Sequence, residues 1–252
     1  MRVFAVLGLG EAGGRIAADL VAAGAVVHGF DPLVPPPAGV RGSGSDADAC
    51  RHAEVVLSLT TAEEALAALR QALPSCRPGT LWADLNTSAP ALKEALRDAA
   101  GGTVEVVDVA LMAPVPGHGL STPMTASGPA ASAFAEAISP YGARVDLIEG
   151  PVGAAATRKL LRSVFYKGMS AAVTEALAAA RAAGLEEWLA GNIRAEFARS
   201  DESTLDRIVE GSRAHAVRRR EEMSAAADLL DSLGVPARVA RASRDWLADL
   251  RP

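Results

Sequence analysis

Aromatic residues are scarce in this chain, at 4% of 252 positions, although half of the residues are hydrophobic. Much of that apolar content is alanine, which favours closely packed helices over a β-sandwich. Cysteine is nearly absent. Cys50 and Cys76 have neither a C-x-x-C nor a metal-ligand spacing, which excludes a disulfide scaffold or zinc module and suits incidental thiols in a reducing compartment. Positive charge is not in surplus either: the formal net charge is −5, whereas a nucleic-acid partner would demand a basic face. No apolar run nears the roughly 18 residues of a membrane span, and the first strand pattern starts too early to leave room for a signal peptide. The expectation is a cytoplasmic protein with no nucleic acid, membrane or metal among its partners.

What is present is a chain long enough for one large domain or two modest ones. Its first apolar run, from Val3, ends in Gly8-Leu9-Gly10-Glu11-Ala12-Gly13, and a helical pattern follows. In such a G-x-G-x-x-G loop the first glycine makes the tight turn and the second lets a pyrophosphate approach the backbone. The third lets helix and strand pack closely, and the helix N-terminus turns unpaired N–H groups toward the phosphates. The pattern is weak alone, but here a strand precedes it, a helix follows, and a second strand ends at Asp31, 23 residues past Gly8. There an acid would grip an adenine-ribose 2′-OH. Residues 1–150 therefore read as a dinucleotide-binding half.

Strand-like runs at 3–8, 25–30, 54–59, 80–83 and 103–109 alternate with helical patterns at 15–23, 62–73 and 90–99 and a weaker one at 46–52. A further strand, helix and strand follow at 123–127, 130–138 and 143–148. The alternation predicts an α/β fold with a doubly wound parallel Rossmann sheet. The Pro- and Gly-rich stretch 32–44 is a loop. Past residue 150 the strands cease. Residues 154–183 predict one long helix, followed by helices over 186–199, 205–220, 222–233 and 237–250, so residues 151–252 form an all-helical second domain. On the long helix Leu161, Phe165, Met169, Val173 and Leu177 recur every four residues, while Lys159, Ser163, Tyr166 and Ser170 share another face. A helix this apolar is expected to be packed on most sides, and a lysine on it is unusual.

Four segments together resemble the β-hydroxyacid dehydrogenase superfamily, which includes 6-phosphogluconate and 3-hydroxyisobutyrate dehydrogenases. They are the Gly8–Gly13 loop, Asp84-Leu-Asn86-Thr87-Ser-Ala-Pro90, the run from Asp108 through Pro114 to Gly119, and Gly153-Ala-Ala-Ala-Thr-Arg-Lys159. The branch most resembled carries a phosphogluconate dehydrogenase NAD-binding-like C-terminal domain. The resemblance implies a small-molecule substrate, a homodimer, and Lys159 as the general acid/base of hydride transfer to or from NAD or NADP. Leu59, Thr60, Thr61, Asn86 and Thr87 would lie along the dinucleotide. Asp31 would repel a 2′-phosphate and favour NAD, unless Arg41 folds back to reverse this.

This chain also departs from the family. Arg162 and Ser163 stand where the family has paired asparagines after the lysine, so Ser163 takes a reduced version of the substrate-orienting role. Met112 stands at the serine that holds a substrate carboxylate; His118 and Ser121 are candidate replacement polar contacts, with an ordinary surface histidine as the equal alternative. The charge run 213–223 in the helical tail reads first as a solvated helix face; the alternative is that His215 reaches the cleft from either subunit. Imine reduction is a second enzymatic reading, although imine reductases commonly carry Asp or Tyr at the Lys159 position. A cofactor-binding protein without turnover is a third.

Overall fold

The computed structural model describes residues 1–250 and divides into two compact units, one of residues 1–162 and one that starts at Ser163. Each has its own architecture.

Unit 1 is built on one eight-stranded sheet in the order β3-β2-β1-β4-β5-β6-β7-β8. Its strands are β1 (Val3–Leu7), β2 (Val26–Phe30), β3 (Arg41–Gly42), β4 (Val55–Ser58), β5 (Thr80–Asp84), β6 (Val104–Leu111), β7 (Met124–Ser127) and β8 (Val145–Leu147). Helices α1 (Glu11–Ala22), α2 (Asp46–Cys50), α3 (Ala65–Ala72), α4 (Pro90–Ala100) and α5 (Ala131–Ile138) alternate with them. β1 shows why its residues form a central strand: Phe4, Ala5, Val6 and Leu7 are all fully buried, as expected of a strand covered on both faces. With a period of two, Phe4 and Val6 enter one core with Ile16 and Leu20 of α1 and Phe134 of α5. Ala5 and Leu7 enter the other with Leu69 of α3 and Leu96 of α4. The sheet thus carries one apolar layer on each face, and the strand order reverses between β1 and β4.

Two details differ from the expectation. The sheet is not wholly parallel, because β6 and β7 pair antiparallel. Residues 112–123 between them hold only a 3-10 turn, Gly119–Ser121, and without a crossover helix the chain returns directly. The Pro- and Gly-rich loop also contributes a short strand, β3, pairing Arg41 with His28. Cys50 is buried and Cys76 partly so, and both are free thiols.

Unit 2 contains, among the described residues, only helix. It holds most of α6 (Ala154–Ala182), whose first turns belong to unit 1, then α7 (Glu186–Arg199), α8 (Ser203–Ala214), α9 (Ala216–Ser232) and α10 (Arg238–Asp249). The break between α8 and α9 falls at His215 rather than near residue 221. His215 leaves helical geometry at φ −119° and ψ 24°, and Gly211 leaves room for the Arg219 guanidinium, which bonds Ser212 Oγ at 2.8 Å. α9 and α10 pack around Ala227, Leu230, Ala237 and Ala240. Glu175 of α6 accepts from the N–H groups of Val239 and Ala240, both at 2.8 Å, so it satisfies orphan donors at the start of α10. Contrary to expectation, α6 is not covered on most sides: Leu161, Val164 and Phe165 are 67%, 75% and 60% exposed. No helix among the described residues is long and apolar enough to cross a membrane.

Candidate active site

The glycine loop fits the role its pattern suggests. Gly8 turns the chain at φ +86°, and a Cβ there would run into the Leu59 carbonyl at the end of β4. A Cβ on Gly13 would overlap the Gly8 carbonyl, whereas one on Gly10 would meet only open space. Gly10 is the N-cap of α1, and the N–H groups of Glu11 and Ala12 in the first turn have no intrahelical acceptor. This open backbone borders a cavity of about 500 Å³, also lined by Phe30, Asp31, Leu59, Thr60 and Thr61. Volume, glycine cradle and helix N-terminus fit the adenosine and pyrophosphate of a dinucleotide. Leu9 contributes differently: its side chain is buried in the core, and its N–H donates to Asp31 Oδ2 at 2.8 Å.

Asp31 also accepts from the N–H groups of Leu33 and Val34, at 2.8 and 3.0 Å. Burial alone would raise its carboxyl; the three backbone donors outweigh that and hold it below the ordinary carboxylate value. Two more acids line the same cavity, Asp46 and Glu64, and among the described residues no lysine or arginine does. Burial, with Glu64 adding to it, pushes the Asp46 carboxyl up. Arg41, placed in β3, is not among the lining residues.

From this cavity the polar path continues along the carboxyl ends of the strands. Ser58, Asp84, Asp108 and Ser127 stand side by side in register across β4, β5, β6 and β7, all fully buried. Asn86, just past β5, donates from Nδ2 to Asp84 Oδ1 at 2.6 Å, to Ser58 Oγ at 3.2 Å and to Thr60 Oγ1 at 3.3 Å. Asn86 therefore touches a wall of the large cavity through Thr60. It also lines a second, narrow cleft with Thr87, Ser88, Asp108, Ala156 and Lys159. Lys159 is half-buried there, on the second turn of α6. Asp108 sets where that helix begins, since its Oδ2 accepts from the N–H groups of Gly153 and Ala156 at 3.1 and 2.8 Å.

Two residues not singled out by the sequence patterns belong to this arrangement. Lys93 of α4 is 1% exposed. Its Nζ donates to Asp84 Oδ2 at 2.5 Å and to the carbonyls of Asp84 and Asn86 at 2.9 Å, and it lies 3.2 Å from Asp108 Oδ1. Burial pushes the Asp84 carboxyl up, and Lys93 and Asn86 pull it back. A signal existed: Lys93, Leu96 and Ala100 occupy one face of α4, so this lysine sits in an apolar stripe. Ser88 is the other. It is 7% exposed, its Oγ has no hydrogen-bond partner among the described residues, and it lines the cleft.

The proposed substrate-side residues scatter more widely. His118 and Ser121 are exposed and bonded within their own loop, His118 Nδ1 to the Pro114 carbonyl and Ser121 Oγ to the His118 carbonyl. Neither lines the narrow cleft. Met112 is half-buried, and its carbonyl accepts from Arg162 Nη1 at 2.6 Å, so the arginine at the family's asparagine position holds the Met112 backbone. Ser163 follows Lys159 by one turn of α6 and is half-buried. His215 is exposed at the α8–α9 junction of unit 2.

Residues 3–118 match the family model for the NAD binding domain of 6-phosphogluconate dehydrogenase, and residues 180–250 match a domain of unknown function, DUF1932. A probable 3-hydroxyisobutyrate dehydrogenase of Mycobacterium tuberculosis is 38% identical over 93 residues, 34% of this chain. The match spans only 32% of that relative's length. A conserved hypothetical protein from Sinorhizobium meliloti has a similar structure at 29% identity, with a TM-score of 0.64 over 98% of this chain and 88% of the other. The fold alone is shared with an imine reductase from Myxococcus stipitatus in complex with NADP+ (18% identity, TM-score 0.82, covering 98% and 93%). It is shared too with the V8 variant in complex with NAD+ (18% identity, TM-score 0.77, covering 98% and 93%). Glycine loop, strand order and the two family models agree domain by domain: residues 3–118 form an NAD-binding domain of the 6-phosphogluconate dehydrogenase type, and residues 180–250 a DUF1932 domain, in keeping with the resemblance to the β-hydroxyacid dehydrogenases.

Proposed function

We propose that this protein is a cytoplasmic NAD(P)-dependent oxidoreductase acting on a small secondary alcohol or its carbonyl counterpart, with Lys159 as general acid/base. The observation that carries this reading is the neighbourhood of Lys159, which shares a tight cleft with Asn86, Thr87 and Ser88, too narrow as it stands for a water molecule, while Asn86 bonds Thr60 on the wall of the dinucleotide-sized cavity. A bound nicotinamide supplies or accepts the hydride. The chain itself handles the proton. Lys159 Nζ takes it from the substrate hydroxyl during oxidation and returns it to the carbonyl oxygen during reduction. Asn86 Oδ1, on an amide whose nitrogen is held by three side-chain acceptors, and the Ser88 hydroxyl, without a hydrogen-bond partner among the described residues, offer polar contacts that orient the reacting groups.

NAD is the favoured cofactor in this reading. A 2′-phosphate in the large cavity would face Asp31, Asp46 and Glu64 without a compensating cation. The substrate lacks the usual carboxylate anchor, because Met112 has no charged or hydrogen-donating side chain. That favours a ketone–alcohol pair and keeps imine reduction as the second reading. The apolar side chains open to solvent on α6, α7 and α8, including Phe165, Trp188 and Ile208, support a homodimer that covers them.

Fluorescence titration with NADH and NADPH, on wild type and Lys159→Ala, tests the proposal. NADH should bind at least about tenfold more tightly than NADPH, and Lys159→Ala should keep that binding. In a panel of ketones, 3-hydroxy acids and cyclic imines, Lys159→Ala should lower turnover by about 10²- to 10⁴-fold. If neither nucleotide binds, the oxidoreductase reading fails. Turnover on imines alone, insensitive to Lys159→Ala, would replace it with the second.

A further inference from the structure

Lys93 is one of only three lysines in the chain, and the reaction proposed above has no chemical use for it. A lysine 1% exposed is costly unless its ammonium is fully paired, and this one is. Its four oxygen neighbours belong to Asp84, Asn86 and Asp108. They divide into two groups with different consequences.

The first group sits on the β5 side. Lys93 bonds the Asn86 carbonyl directly and the Asp84 carboxylate, whose other oxygen receives Asn86 Nδ2. The backbone and side chain of Asn86 are thus both held by one cation, one directly and one through Asp84. The second group is on the β6 side. Lys93 lies beside Asp108 Oδ1, while Asp108 Oδ2 receives the N–H groups of Gly153 and Ala156 and the Ser127 hydroxyl. Those two N–H groups open α6, and Lys159 follows Ala156 by three residues.

We propose that Lys93 is a positioning residue: its buried ammonium ties the segment at Asn86 to the Asp108-anchored start of α6, and so sets the spacing of Asn86 and Lys159 across the tight cleft they both line. This rests on the reading of that cleft as the nicotinamide site. It makes a distinction that reading does not: among the described residues Gly8, Gly10 and Asp31, which build the adenosine end, are not among the polar partners of Lys93, so that end is expected to be far less sensitive to it than Asn86.

ADP-ribose, which has the adenosine and pyrophosphate but no nicotinamide, isolates the two ends. Calorimetric affinities for ADP-ribose and NADH are measured on wild type and Lys93→Met. The expected result is ADP-ribose binding within about twofold of wild type and NADH binding weakened by about tenfold or more, so that most of the advantage of NADH over ADP-ribose is lost. A variant that merely loses thermal stability while keeping the wild-type NADH to ADP-ribose ratio overturns the proposal. Should Lys93→Met fail to fold, Lys93→Met/Asp84→Asn removes the cation together with one buried charge. It should fold and still show the reduced ratio, since the Asn86 carbonyl has lost its donor; a wild-type ratio there is equally fatal. Wild-type protein that binds ADP-ribose but gains nothing from the nicotinamide would sink the underlying site reading instead, and the proposal with it.

Discussion

In unit 1 the chain's own helices cover both faces of the sheet, and Phe4, Leu57, Trp82 and Phe134 are all fully buried. In unit 2 the buried hydrophobic residues are alanines and a single larger side chain, Leu230, among the described residues. Several of its large apolar groups, among them Trp188, Phe197, Leu205, Ile208 and Trp246, are exposed. α7 and α8 have no buried residue at all. Both units draw on the same alanine-rich composition. What differs is the geometry that collects it. A twisted sheet offers two broad faces onto which helices lay narrow alanine-lined stripes, whereas helices carrying scattered bulky residues need a further surface to close on. Unit 1 closes its apolar layers on itself, whereas unit 2 leaves several large apolar side chains open.

The sharpest way to break this contrast is at the buried charges. Lys93→Met leaves Asp84 and Asp108 without their cation and should destabilise unit 1 by about 3–5 kcal/mol, read as an early melting transition of the sheet. Hydrogen exchange in α9 and α10 should change far less. Loss of protection equally in both units would mean that they are one cooperative body. Next in size are matched core truncations. Leu57→Ala in β4 should cost about 2–5 kcal/mol by denaturant unfolding. Leu230→Ala should fall at or below the low end of that range, because the sparse core around it leaves less to lose.

A smaller effect separates the cofactor loop from the rest of unit 1. Asp31 is held below its ordinary value of 3.8. Its contribution is therefore full above that value and drains away as pH falls through the depressed one. Asp31→Asn should flatten the acid limb of the stability curve in that window and cost about 1 kcal/mol at neutral pH, checked by thermal melts at stepped pH. The smallest expected change in stability is on the open faces of unit 2. Ile208→Glu should alter monomer stability by no more than about 0.5 kcal/mol, yet convert a dimer to a monomer in light scattering at micromolar concentration. A dimer that survives this substitution and Phe165→Glu would remove the reason for regarding unit 2 as open.

Much of unit 1 could be read in advance because its signals are local. The Gly8–Gly13 loop and the strand leading to Asp31 declare themselves within a few residues, since backbone conformation and period-two burial act over that range, whereas Asn86 stood out only through the family resemblance. The helical character of residues 154–250 was legible for the same reason. Boundaries were less so: the α8–α9 break depends on Gly211 meeting Arg219 across a turn, and the antiparallel β7 on a connection that lacks a helix. Leu9 and Met112 show a subtler loss. Their backbone groups are taken by Asp31 and Arg162, partners that no local pattern names.

The amino-acid order alone determined an α/β dinucleotide-binding half, a helical remainder and a lysine opening the long helix, because glycine turns, strand alternation and helix periodicity are properties of neighbouring residues. Only the tertiary structure decided that Lys93 is buried, that Ser58, Asp84, Asp108 and Ser127 form one row across four strands, and that Leu161, Val164 and Phe165 lie open. Burial and ion pairing depend on groups far apart in sequence arriving at one place, and no local window holds that information.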